Sequence, residues 1–123
     1  MIGELSAPEE PMAFLKRLKQ SMRTECIRHT AIPGRPVQRV AVCGGSGRFL
    51  LEEAIRRKAD VFVSADFKYH EFFDADGKII IADVGHYESE QFTPERLGEV
   101  LREKFPTFAI NFSKKVTNPI CYL

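Results

Sequence analysis

Two hydrophobic periods alternate along this chain, and the changes between them mark most of its elements. Residues 37–43 (Val-Gln-Arg-Val-Ala-Val-Cys), residues 60–65 around Val61-Phe62-Val63, and residues 78–83 around Ile79-Ile80-Ile81 are short apolar runs of strand type. Phe14, Leu15, Leu18 and Met22 recur instead at helical spacing, behind Glu9-Glu10-Pro11, where acids and an early proline suit a helix start. Phe49, Leu50, Leu51, Ala54 and Ile55 predict a second amphipathic helix ending near Lys58. Asp66 opens a short helix as its cap, and Asp76-Gly77 stops it. Leu97, Val100, Leu101 and Phe105 define another, with Thr93 as cap and Pro94 at its first position. Residues 25–32 and 107–112 read as two further strands, while 33–36 and the glycine segment 44–47 read as turns. Residues 1–10 have little periodicity and no element is assigned there.

Strands alternating with helices imply βαβ units. The predicted fold class is α/β: a mostly parallel sheet of four or five strands, with helices on both faces, in a single domain over residues 1–123. Turns leaving parallel strands gather at the carboxyl edge of the sheet, where ligands bind. Gly44–Gly47, Asp66–His70 and Gly85–Glu90 each leave such a strand, so topology alone puts three polar segments on one rim.

Composition narrows the classes. Eighteen basic residues against 17 acidic ones give a net charge of +1, with no pull toward nucleic acid or an anionic membrane. No apolar run approaches the roughly 20 residues that span a bilayer. Cys26, Cys43 and Cys121 are odd in number and lack metal-type spacing, and Cys43 reads as a small buried hydrophobe. With an amino terminus that lacks a basic region and long apolar core, this suggests a reducing, cytoplasmic setting.

The candidate chemistry lies on the predicted rim. His86 and Glu90 are four residues apart, so on a helix an imidazole and a carboxylate share one face. Spacing alone favours a surface ion pair. Placement at a strand's carboxyl end, beside Asp83 and Gly85, raises the alternative of a divalent-metal site. Glu88, at i+2, faces another side and is expected in solvent. Gly44, Gly45, Ser46 and Gly47 are small enough to bring backbone amides to an anion, and they half-match the dinucleotide fingerprint, although a tight turn explains them equally well. Asp66 sits near the distance expected for a ribose-binding acid. Lys68 suits phosphate and His70 suits acid–base work, beside plain packing or surface roles for each. The tail from Val116 to Leu123 is apolar enough to pack within the domain or across a subunit interface.

Four motifs occur in order: Val40-Ala41-Val42-Cys43-Gly44-Gly45-Ser46-Gly47, Asp66-Phe67-Lys68-Tyr69-His70, Gly85-His86-Tyr87-Glu88-Ser89-Glu90, and Thr117-Asn118-Pro119-Ile120. Together with Ile2-Gly3-Glu4-Leu5 they resemble the carboxyl-terminal half of the NGG-interacting-factor-three-like family of dinuclear metal proteins, also called GTP cyclohydrolase I type 2 homologues. The resemblance covers nearly the whole chain and implies a hydrolase-like function. It implies that His86 and Glu90 bind metal, with the glutamate bridging two divalent ions, of zinc, iron, manganese or nickel type. Paired histidines and an aspartate would come from a missing amino-terminal half. It further implies that Asp66, Lys68 and His70 orient ligands or meet substrate, and that the assembled protein is a homo-oligomeric ring hexamer handling a nucleotide or other phosphate-containing small molecule. On this reading the chain resembles a fragment, inactive alone and binding metal weakly or not at all, with Met1 internal to a longer parent. Arg48-Phe49 departs from the family's small residues after the glycines and makes that entrance bulkier. Outside the resemblance, the residues also fit a nucleotide-binding module built on the glycines and Asp66, or a non-enzymatic interaction domain built on the tail.

Overall fold

The computed structural model describes residues 1–123. In chain order the elements are β1 (Ile2–Glu9), α1 (Pro11–Ser21), β2 (Arg28–His29), β3 (Val37–Ser46), a single 3-10 turn (Arg48–Leu50) leading into α2 (Leu51–Arg56), β4 (Val61–Ala65), a 3-10 segment (Tyr69–Ala75), β5 (Ile80–Asp83), α3 (His86–Glu90) and α4 (Thr93–Lys104). The five strands form one sheet in the order β1-β3-β4-β5-β2. β3, β4 and β5 are parallel, with Val61 opposite both Val40 and Ile80. Both edge strands run antiparallel to their neighbours, Gly3 facing Val40 and Arg28 facing Asp83. The α/β class and the strand count stand as read, with a parallel centre and antiparallel borders.

Side chains alternate across this sheet, and each face has its own core. On one face Val37, Val61, Val63, Ile80 and Ala82 pack with Phe14, Leu15 and Leu18 of α1. On the other, Ala41, Phe62 and Ile81 pack with Leu51 and Ala54 of α2, and with Phe67 and Ala75 around the 3-10 segment. Every residue of β4 and β5 is buried, which is why both read as unbroken apolar runs. The start of α1 follows from Glu10, whose carboxylate accepts from the amides of Met12 (2.9 Å) and Ala13 (2.7 Å). Asp76 ends the 3-10 segment in the left-handed region (φ 46°), just before Gly77.

Several expectations are corrected. Residues 2–9 form a full edge strand, one so exposed that its burial follows no period of two. Only Arg28–His29 pair within the strand expected over 25–32. Residues 107–112 form no strand, and the fifth strand comes from the opposite end of the chain. β3 continues through Ser46, so Gly44 and Gly45 lie in a strand and not in a tight turn. Thr93 caps nothing, because Phe92 holds the cap position of α4 without a side-chain bond. Lys68, not Asp66, occupies the cap position of the 3-10 segment. Cys43 is half-buried only. No helix is long and apolar enough to cross a membrane.

Candidate functional site

The rim is organised by Asp83, the last residue of β5, which is 4% exposed. Its Oδ2 accepts from the backbone amide of Phe67 (3.0 Å) and from the Arg28 guanidinium, and its Oδ1 accepts from the Gly85 amide (3.1 Å). One carboxylate thereby fixes the turns after β4 and β5 and the edge strand β2. The chain then turns at Gly85 (φ 93°) into α3.

α3 carries His86 and Glu90 one turn apart, as the spacing predicts. His86 Nε2 lies 3.4 Å from Glu90 Oε2. On the other side of the ring, Nδ1 lies 2.6 Å from Asp66 Oδ2. The short distance to a carboxylate makes Nδ1 a protonated, donating nitrogen, so in the neutral ring the lone pair is on Nε2, on the Glu90 side. This is the arrangement in which a metal-binding histidine is oriented by a carboxylate behind it. All three side chains are about half exposed, with relative areas of 46–51%. The hydrogen bond to Asp66, followed by its negative charge and a smaller contribution from Glu90, raises the His86 pKa above its ordinary 6.5. Asp66 reaches this position from a left-handed backbone (φ 61°) at the end of β4, a conformation that aspartate tolerates better than most residues.

The glycines are explained by the same geometry. A Cβ at Gly45 (φ 62°) would lie 2.7 Å from Glu90 Oε1 and 3.2 Å from His86 Cε1, and one at Gly44 would touch Glu90 Cγ at 3.7 Å. The end of β3 is bare of side chains where the His86–Glu90 pair rests on it. The Gly45 amide donates to Ser89 Oγ (2.7 Å), whose hydroxyl donates to the His86 carbonyl (2.8 Å). Ser64 in β4 donates to the Gly45 carbonyl (3.0 Å). Gly47 is crowded by Ser64 and Cys43, and Ser46 is exposed.

The three expected rim segments therefore meet, but unequally. Asp66, Gly44, Gly45, His86 and Glu90 are brought together. Lys68 and His70 are exposed on the neighbouring segment, and no hydrogen bond or ion pair joins their side chains to the His86 cluster. Glu88 reverses its expectation: it is 5% exposed, with Oε1 accepting from Asn118 Nδ2 (3.2 Å). Ser89, Ser64 and Asn118 are participants that sequence reading missed. Ser89 had a local signal, lying within the motif and three residues after His86, on the same side of the helix. The other two are distant in sequence and had none. No three His, Cys, Asp or Glu side chains converge on one point that would hold a metal ion.

The chain is 32% identical over 106 residues to the GTP cyclohydrolase 1 type 2 homolog of Campylobacter jejuni, covering 85% of this chain and 42% of that protein. It is 31% identical over 130 residues to the protein of the same name from Staphylococcus epidermidis, covering 99% and 34% respectively. The chain thus spans well under half the length of these relatives. Among solved structures, a Staphylococcus aureus protein superposes with a TM-score of 0.86 at 27% identity, over 99% of this chain and 36% of that one. A Bacillus cereus protein related to NIF3 gives 0.82 at 29% identity, over 99% and 35%. With the family's sequence profile matching residues 1–119, the chain belongs to the Duf34/NIF3 (NGG1p interacting factor 3) family.

Proposed function

We propose that this chain supplies half of the ligand set of a two-metal, hydrolase-like centre, with His86 and Glu90 as its two ligands. The observation that carries this reading is the His86 ring. Its Nδ1 is engaged by Asp66 at 2.6 Å, so that in the neutral ring Nε2, on the Glu90 side, carries the lone pair. The donor set suits a borderline divalent cation of the zinc, iron, manganese or nickel class. Glu90, whose carboxylate rests against the bare end of β3, would be the second ligand. Asp66 holds the imidazole tautomer and does not itself bind metal. When bound, a metal pair polarises a substrate oxygen and lowers the pKa of a bound water toward about 7.

Two ligands fall short of the about four that a zinc ion takes, so the rest come from outside these 123 residues. The names of the relatives point to a nucleotide or another phosphate-containing small molecule as substrate, and Lys68 and His70, exposed on the adjacent segment, are the groups free to meet it. A reading as a dinucleotide module is weaker, because the Gly45 amide is already bonded to Ser89. Assembly is a companion proposal. Leu97 and Val100 on α4, and Phe108, Phe112 and Val116 beyond it, are exposed, and such a surface suits a homo-oligomeric ring or the remainder of a longer chain.

Elemental analysis and competition with a chromogenic chelator test the metal reading. The chain as given is expected to take up zinc or cobalt weakly and below one equivalent, and His86→Ala or Glu90→Ala is expected to abolish that uptake. Tight stoichiometric metal in the monomer, or uptake indifferent to both substitutions, would refute it.

A further inference from the structure

We propose that the carboxyl-terminal segment 117–122 acts through Glu88 as a latch that sets the orientation of α3, and with it the His86–Glu90 pair. The functional sense of the latch rests on the metal reading; its physical existence does not.

α3 needs such support. It has five residues, and its cap position, Gly85, makes no side-chain hydrogen bond. A helix this short has no stability of its own in water. Besides the His86–Asp66 bond to the end of β4, three contacts hold it. Ser89 accepts from Gly45 of β3, and the Gln91 side chain donates to the Met22 carbonyl at the end of α1 (2.7 Å). The third is the bond from Asn118 Nδ2 to Glu88 Oε1. The first two tie α3 to the sheet and to α1. Only the third ties it to the tail, and it does so on the face opposite the ligands.

Glu88 is an unusual residue for that task. It is 95% buried by area, and its Oε2 has no hydrogen-bond partner. That oxygen is pressed against Gly85, where a Cβ would lie 2.2 Å from it and 3.5 Å from the Tyr122 hydroxyl. The tail closes over it from outside. Asn118 is half-buried and pre-shaped, its Oδ1 accepting from the Ile120 amide (3.1 Å). Arg23, Tyr87, Glu88, Asn118 and Tyr122 line one cleft between α3 and the tail. Burial, and next the negative charge of Glu88, push the Tyr122 phenol above its ordinary pKa. A surface residue packed by accident would turn its carboxylate to water. Here the carboxylate is kept inside at a cost, and the group that compensates it belongs to the tail.

The test is amide hydrogen exchange combined with nitrogen-15 spectroscopy of the His86 ring, on the full chain without metal. The amides of Ser89 and Gln91, which donate to the Gly85 and Tyr87 carbonyls, report on α3. In Asn118→Ala their exchange is expected to accelerate about tenfold. The His86 ring signals are expected to move from the Nδ1-protonated form toward the tautomer mixture of free imidazole, while β4 and β5 amides keep their protection. Glu88→Gln, which retains the acceptor for Asn118, is expected to stay near wild type. Glu88→Ala is expected to behave like Asn118→Ala. Unchanged α3 exchange and His86 signals in Asn118→Ala would overturn the latch, and so would an equal loss of protection in β4 and β5, which would make the tail a general stabiliser. A zinc titration of the same samples, with His86→Ala beside them, separates the two ideas: an altered His86 signal in Asn118→Ala together with zinc uptake that His86→Ala leaves unchanged keeps the latch and sinks the metal reading.

Discussion

Asp66 and His86 lie twenty positions apart and meet only because β4 and β5 are parallel neighbours, so that the turns leaving both arrive at one edge. Their contact has a sign that can be checked. Because the pairing raises the His86 pKa, the ion pair contributes stability that is fully present below the unfolded value of 6.5 and is lost as pH rises through the higher folded value. Both groups are half exposed, so the effect on overall stability is small. The titration itself is a clean readout: in the metal-free chain His86 is expected to titrate above the ordinary histidine range, and Asp66→Asn to bring it back down, by NMR. A proton and a metal compete for Nε2, so metal uptake should rise with pH. Loss of the orienting carboxylate in Asp66→Asn should weaken whatever affinity the chain has by about 10- to 100-fold. At this scale the sequence was partly legible. The four-residue spacing of His86 and Glu90 is local and survives folding unchanged. The role of Glu88 was misread because i+2 means solvent only when a helix has one packed face, and α3 is enclosed between β3 and the tail.

Elements were legible in proportion to how much apolar surface they bury. β4, β5 and α1 bury theirs completely or on one clean stripe, and their residues announce it. β1 escaped because an exposed edge strand is held by backbone bonds to β3, which leave no trace in side-chain order. The strand expected over 107–112 did not form: Thr107-Phe108-Ala109-Ile110-Asn111-Phe112 has strand-like composition, but its backbone pairs with neither β1 nor β2 at the edges of the sheet. α4 is the remaining case. Its pattern is amphipathic, yet Gly98, covered by Phe112, is its only buried residue. A helix whose apolar stripe lies in water contributes little to the fold that carries it. Leu97→Glu with Val100→Glu is therefore expected to change the unfolding free energy by less than about 0.5 kcal/mol. The same double variant should shift the elution volume or sedimentation of any oligomer the wild type forms. A large loss of stability in the monomer would show instead that α4 is part of the core.

For the whole molecule, the sheet explains why chemistry collects at one end. Three parallel strands put their carboxyl ends, and the polar turns after them, on the same rim, while two antiparallel strands close the borders. Topology of this kind is readable from the alternation of elements, and the meeting of the glycine, Asp66 and His86 segments followed from it. Which side chains on the rim would touch was not readable. Lys68 and His70 lie only two and four positions from Asp66, yet both are exposed and neither side chain joins the His86 cluster. The relatives are longer, the chain spanning 42% and 34% of the two compared, and on the proposed reading a centre built from two halves would leave this half with an incomplete set of donors.

Asp83 carries a further implication for how this rim comes apart. Three segments that are remote in sequence lean on a single oxygen pair, so none can fray while the others stay in place. Loosening should be collective, like a knot slipping, and not a series of independent loop openings. Replacing Asp83 by alanine is expected to lower the unfolding free energy by about 1–3 kcal/mol. More tellingly, limited proteolysis of that variant should open sites in residues 66–76 and 85–92 at the same rate.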